Sequence, residues 1–120
     1  MSNSSRGLNF ERKVRRKLER HGWTVIRAAA SKGPADLIAF KAGHDNLFIE
    51  CKIGGRLDTE DWNSFYDMCQ ELGVVPILAW QKKFPCIISM RRLTGRKTGR
   101  NGDPAPVEEY ALSESDPDDE

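Results

Sequence analysis

Two charged residues stand two apart inside an otherwise apolar run, Leu47-Phe48-Ile49-Glu50-Cys51-Lys52-Ile53. In an extended strand this spacing puts Glu50 and Lys52 on one face, with Ile49 and Cys51 on the other. A carboxylate and an ammonium so placed carry a desolvation cost that demands a partner or a task. A second carboxylate, Asp36, opens another apolar run, Leu37-Ile38-Ala39-Phe40, just after the breakers Gly33 and Pro34. If Gly43 to Asn46 fold the two runs into a hairpin, Asp36 arrives beside Glu50. Two converging carboxylates repel each other less with a divalent cation between them. Oxygen donors of this kind, with the Cys51 carbonyl as a third protein ligand, suit Mg2+, with Mn2+ as a substitute. Such an ion lowers the pKa of a bound water and offsets charge developing on a phosphate, and Lys52 is placed to orient or help deprotonate that water. The chemistry implied is metal-assisted hydrolysis of a phosphodiester. The plainer reading of Glu50 and Lys52 is a partly exposed ion pair on an edge strand, which leaves Asp36 a coincidence.

These residues need a sheet to hold them, and the pattern supplies one. Residues 7–21 read as a helix, with Phe10, Val14 and Leu18 as its apolar stripe and basic residues over the remainder, ended by His21-Gly22. Strands are expected over 23–29, 36–41, 47–53, 74–80 and 85–90. Asp58 or Thr59 caps a second helix whose Trp62, Phe65, Cys69 and Leu72 follow 3, 4 and 3 spacing up to Gly73. The nearly continuous apolar run 74–80 is that of a strand covered on both faces. The order α-β-β-β-α-β-β predicts an α/β fold, a mixed sheet flanked by helices. Residues 91–106, rich in Gly, Arg, Lys, Asn and Pro, read as a mobile basic loop, either a solvated connector or an arm for DNA backbone. Residues 107–112 give a last short strand or nothing. The expected division is a domain over 1–112 and a disordered acidic tail over 113–120.

The sequence has 120 residues, with 19 Lys and Arg against 18 Asp and Glu, so one packed core is the expectation. Its net charge of +1 hides an asymmetry: seven acidic residues and no basic ones fall in 108–120, leaving 19 basic against 11 acidic over 1–107, an excess of +8. A basic body points to nucleic acid. The tail is a solubility device or a weak competitor for the basic face. Cys51, Cys69 and Cys86 fit neither a disulfide framework nor a zinc pattern and read as small core residues of a reduced intracellular protein. His21 and His44 have no Ser or Cys at a catalytic spacing. No apolar run reaches the roughly 20 residues that span a bilayer, and the first residues lack the core of a secretory signal. A cytoplasmic protein without membrane contact is expected.

Asp36 with the run behind it, followed by Phe48-Ile49-Glu50-Cys51-Lys52, resembles the D…(D/E)-x-K signature of the PD-(D/E)xK nuclease superfamily. Its order with Arg6-Gly7-Leu8-Asn9-Phe10-Glu11, Gly22-Trp23-Thr24-Val25-Ile26-Arg27 and Ala30-Ser31-Lys32 is similar to that of the archaeal-type Holliday junction resolvases, also carried by some viruses. The likeness runs from about Arg6 to about Trp80 and leaves the remainder unmatched; Pro34 stands two before Asp36 rather than next to it. The resemblance implies a restriction-endonuclease-like fold and a homodimeric, Mg2+-dependent endonuclease that nicks opposed strands of four-way DNA junctions, in the cytoplasm with the nucleoid or in a virus's host cell. It implies that Glu11 joins Asp36, Glu50 and Cys51 around the metal, that Lys52 is the catalytic lysine, and that Ser31 sits near the scissile phosphate. Arg6, Lys13, Arg27 and Lys32 would contact DNA backbone. Plainer readings stand beside these. Glu11 also suits the first turn of a helix with Arg15 at i+4, and Ser31 an ordinary turn. The competing functions are another PD-(D/E)xK repair or restriction-like nuclease, and a non-catalytic DNA-binding module.

Overall fold

In the computed structural model of the chain, the described residues are 3–28, 35–81 and 87–112. The first helix, α1 (Asn3–Arg20), begins earlier than residue 7. A glycine inside a helix costs only about 1 kcal/mol relative to alanine, so Gly7 does not stop it. Phe10, Val14 and Leu18 are all buried along one side. Gly22, at φ 89°, turns the chain out of the helix while the Trp23 amide donates to the Leu18 carbonyl at 3.1 Å.

Strands β1 (Thr24–Arg27), β2 (Leu37–Phe40) and β3 (Leu47–Cys51) form an antiparallel meander. The crossover helix α2 (Thr59–Leu72) then carries the chain to β4 (Val75–Gln81), which pairs in parallel with β3. Asp58 caps α2 by accepting from the Asp61 amide, and Gly73, at φ 72°, ends it. Strands β5 (Ile88–Leu93) and β6 (Val107–Glu109) complete a six-stranded mixed sheet whose spatial order follows the sequence.

Strand alternation divides the core in two. Leu37, Leu47, Ile49, Ile77 and Met90 face α1 with Phe10, Val14 and Leu18. Phe48, Leu78 and Leu93 face α2 with Trp62, Phe65 and Cys69. The two central strands, β3 and β4, are covered on both faces, which is why their sequences are almost wholly apolar.

The expected basic loop over 91–106 needs correction. Arg91 and Arg92 belong to β5, and β6 sets Glu109 and Glu108 opposite them, so charged cross-strand neighbours extend the sheet where a loop was expected. The segment that follows is fastened to α2. Trp62 Nε1 donates to the Gly95 carbonyl at 2.9 Å, and Asn63 exchanges two hydrogen bonds with the Lys97 backbone, at 2.7 and 3.1 Å. Lys97 Nζ donates to the Leu57 carbonyl and lies 4.9 Å from the Trp62 ring centroid, and Arg96 pairs with Asp67. Most of the cations that suggested an arm for DNA therefore have partners within the fold. The expected tail, 113–120, lies outside the described residues, and no described helix is long and apolar enough to cross a membrane.

Candidate active site at the Asp36–Glu50 corner

The register of β2 on β3 pairs Leu37 with Ile49, which puts Asp36 opposite Glu50 at the end of the hairpin. The corner is locked by backbone bonds on both sides. The Asp36 amide donates to the Ile49 carbonyl at 3.0 Å, and the Cys51 amide donates to Asp36 Oδ2 at 2.8 Å. Asp36 thus lies across the end of β3, and its carboxylate is oriented by a main-chain donor.

Glu50 is half-buried, and its carboxyl is pushed up to about 7. Burial is the largest cause, the neighbouring charge of Asp36 the next, and Lys52 pulls the other way. Asp61, in the first turn of α2, adds a smaller repulsion. Lys52 is exposed just beyond β3, and its amide donates to the Ala79 carbonyl at 2.9 Å. The turn that follows is equally constrained: the Gly55 amide donates to the Lys52 carbonyl, and Gly55, at φ 71°, lies flat under Trp80. A Cβ on Gly55 would stand 2.6 Å from the indole ring. Arg91 stacks on the same indole, 4.8 Å from its centroid.

Glu11 approaches from α1. Its Oε1 accepts from Arg27 Nε at 3.0 Å, and its charge, with those of Asp36 and Glu50, raises the Cys51 thiol, whose burial raises it most. Glu11 therefore stands near the corner in an ion pair with Arg27, a residue expected to touch DNA. Among the described residues, no three His, Cys, Asp or Glu side chains gather closely enough to hold a metal ion. The donor set nevertheless fits a hard divalent cation, since Mg2+ is commonly held by one or two carboxylates with water and substrate phosphate completing its shell. The repulsion between Asp36 and Glu50 is what such a cation relieves.

Arg6 and Lys13 are exposed on α1, away from the corner's hydrogen bonds. Ser31 and Lys32 lie outside the described residues. Sequence reasoning missed three features: the Arg27 clamp on Glu11, the proximity of Asp61, and the support that Trp80 gives the Lys52 turn. The adjacent glycines Gly54 and Gly55 are the one sign in the sequence of a close approach there.

The corner has relatives. Residues 2–99 match the family described as archaeal Holliday junction resolvase (Hjc). The chain is 38% identical over 78 residues to a crossover junction endodeoxyribonuclease Hjc of Methanocaldococcus jannaschii, an alignment covering 62% of this chain and 57% of that relative. The chain thus spans less than two thirds of the length of the curated relative it matches. In fold it is similar to Archaeoglobus fulgidus Hjc, a Holliday junction resolvase, with a TM-score of 0.59, 21% identity, and coverage of 71% of this chain and 70% of that one.

Proposed function

The chain belongs to the archaeal Holliday junction resolvase family, and from that premise we propose that it is a divalent-metal-dependent endonuclease that nicks opposed strands of four-way DNA junctions. The observation that carries the reading is the Asp36–Glu50 corner, with two carboxylates face to face on adjacent strands and Lys52 at the end of the second.

Asp36 and Glu50 would hold Mg2+ or Mn2+, with the Cys51 carbonyl alongside. The ion's contribution when bound is Lewis-acid polarisation of a phosphoryl oxygen. The rest falls to the chain. Asp36, fixed by the Cys51 amide, keeps its free oxygen directed by the backbone. Lys52, outside the strand and exposed, presents its ammonium to the phosphate and orients the attacking water. Glu11 completes the acidic wall from α1, steadied by Arg27. Ser31 and Lys32 are assigned to the scissile phosphate and the neighbouring backbone, and Arg6 and Lys13 to DNA backbone contacts that are salt-sensitive and indifferent to sequence. Such an activity belongs with the chromosome in the cytoplasm.

Paired nicks on opposed strands require two sites related by a twofold axis, so the active form is read as a homodimer. Support comes from the face of the sheet beside α2, where Ile26 is 52% and Phe40 37% exposed, and from Leu72, 55% exposed at the end of that helix.

The deciding experiment offers labelled four-way junction, linear duplex, flap and single strand with Mg2+ and maps the nicks. Symmetric nicks on opposed junction strands are expected, lost in Asp36→Asn with junction binding retained. Duplex cut as readily as junction would refute the resolvase reading. A wild type that binds yet never nicks with Mg2+ or Mn2+ would leave a DNA-binding module.

A further inference from the structure

The cations of α1 fall into distinct sets. Arg15 pairs with Glu19 at 3.1 Å, and Lys17 is buried against the core. Arg6, Arg12, Lys13, Arg16 and Arg20 are exposed, and none of them has a carboxylate partner among the described residues. At about 100° per residue, Arg6, Lys13, Arg16 and Arg20 fall within an arc of about 80°. Glu11 lies about 140–180° round the helix from each of them. Like charges at i, i+3 and i+4, as in Lys13, Arg16 and Arg20, destabilise a helix. An ordinary solvated face intersperses acids, as the Arg15–Glu19 flank does, and this one has none.

The position of Glu11 orients the ridge. Its carboxylate is tied to Arg27 at 3.0 Å, Arg27 stands opposite Leu37, and its charge is felt at Cys51. That flank of α1 therefore looks toward the Asp36–Glu50 corner. Arg16 and Arg20 are on the opposite flank, separated from Glu11 by the thickness of a helix, about 10–12 Å, and displaced along its axis by up to about 13 Å. A phosphodiester seated at the corner lies out of their reach.

We propose that the ridge formed by Lys13, Arg16 and Arg20 is a second DNA-backbone track, which holds a duplex arm other than the one being cut and thereby favours branched over linear DNA. The proposal rests on the nuclease reading for which arm is cut, and its physics is that of counterion release. A cation that neutralises a phosphate adds about 0.9 to the dependence of log K on log salt, whatever the sequence. A linear duplex at the corner has no second arm to offer the ridge, and a four-way junction does.

The test compares the full-length wild type with Arg16→Gln/Arg20→Gln. Junction and linear duplex of the same sequence are titrated in EDTA over a range of salt, with circular dichroism checking the fold. The junction slope should fall by about 1.8 for each ridge engaged, so by up to about 3.6 for a dimer, and junction Kd should rise by tens of fold or more near 0.1 M salt. Duplex affinity should change less than twofold, and Arg16→Lys/Arg20→Lys should recover junction affinity. An unchanged junction slope would overturn the proposal, as would an equal loss on junction and duplex. Because these are binding measurements, a wild type that fails to nick would count against the nuclease reading while leaving the ridge tested.

Discussion

Glu50 is where folding and chemistry pull against each other. Its carboxyl rises from 4.5 to about 7, chiefly through burial and then through Asp36 beside it. Below about pH 4.5 it is protonated in both the folded and unfolded chain and costs nothing. Between 4.5 and about 7 the unfolded chain gives up the proton first, so the metal-free protein loses stability across that window and does not regain it above. Glu50→Gln removes the ionising group. By calorimetry the metal-free variant should melt above wild type at pH 8 and converge with it near pH 4, while metal-dependent nicking disappears. Equal melting at pH 8 would mean that the Glu50 carboxylate imposes no folding penalty. The juxtaposition itself was legible, since Asp36 and Glu50 each interrupt an apolar strand at a spacing a hairpin closes. The Arg27–Glu11 pair was not, because sequence spacing says nothing about where a long side chain at a strand end will reach.

The turn after β3 carries Lys52, and its shape depends on β4. Lys52 is bonded to Ala79, Gly55 to Lys52, and the Trp80 indole lies over Gly55 with no room for a Cβ. Gly55→Ala meets two penalties, a left-handed backbone and a ring 2.6 Å away, which together amount to about 2–5 kcal/mol. Reduced stability should therefore come with a slower nicking rate at saturating enzyme. Trp80→Ala removes the ring that is half of the conflict, so the double variant should be less destabilised than the sum of the two singles; a double variant as unstable as that sum would place the strain elsewhere. The segment 94–106 is a second case of an element set by its neighbour. Asn63→Ala removes both bonds to Lys97, a loss of about 1–3 kcal/mol, and should open the segment to proteolysis before the sheet melts. Periodicity was enough to find α2, its caps and the central strands. It did not find the end of β5 or the anchored segment, because Arg91 and Arg92 join the sheet only when β6 brings Glu108 and Glu109 alongside.

On the scale of the molecule, charge and apolar surface are sorted by face. Arg27, Arg96 and Lys97 are engaged by Glu11, Asp67 and the Leu57 carbonyl, so the excess of +8 over residues 1–107 is concentrated on α1 more than composition alone conveys. The opposite side of the sheet exposes carbon. Ile26 and Phe40 share the α2-side face of β1 and β2, and α2 packs on β3 and β4 without covering them. Sheet faces of this kind are ordinarily covered, and a second copy related by a twofold axis presents a matching surface. Ile26→Glu/Phe40→Glu puts charge where an apolar contact would form, at positions exposed enough for the isolated fold to tolerate it. Sedimentation velocity should show the wild type as a dimer and the variant as a monomer. The monomer keeps its Asp36–Glu50 corner, so it should still nick single strands of a junction while losing the paired, symmetric cuts. A variant that stays dimeric would move the interface to another face. A monomer that still cuts in symmetric pairs would break the link between twofold symmetry and resolution.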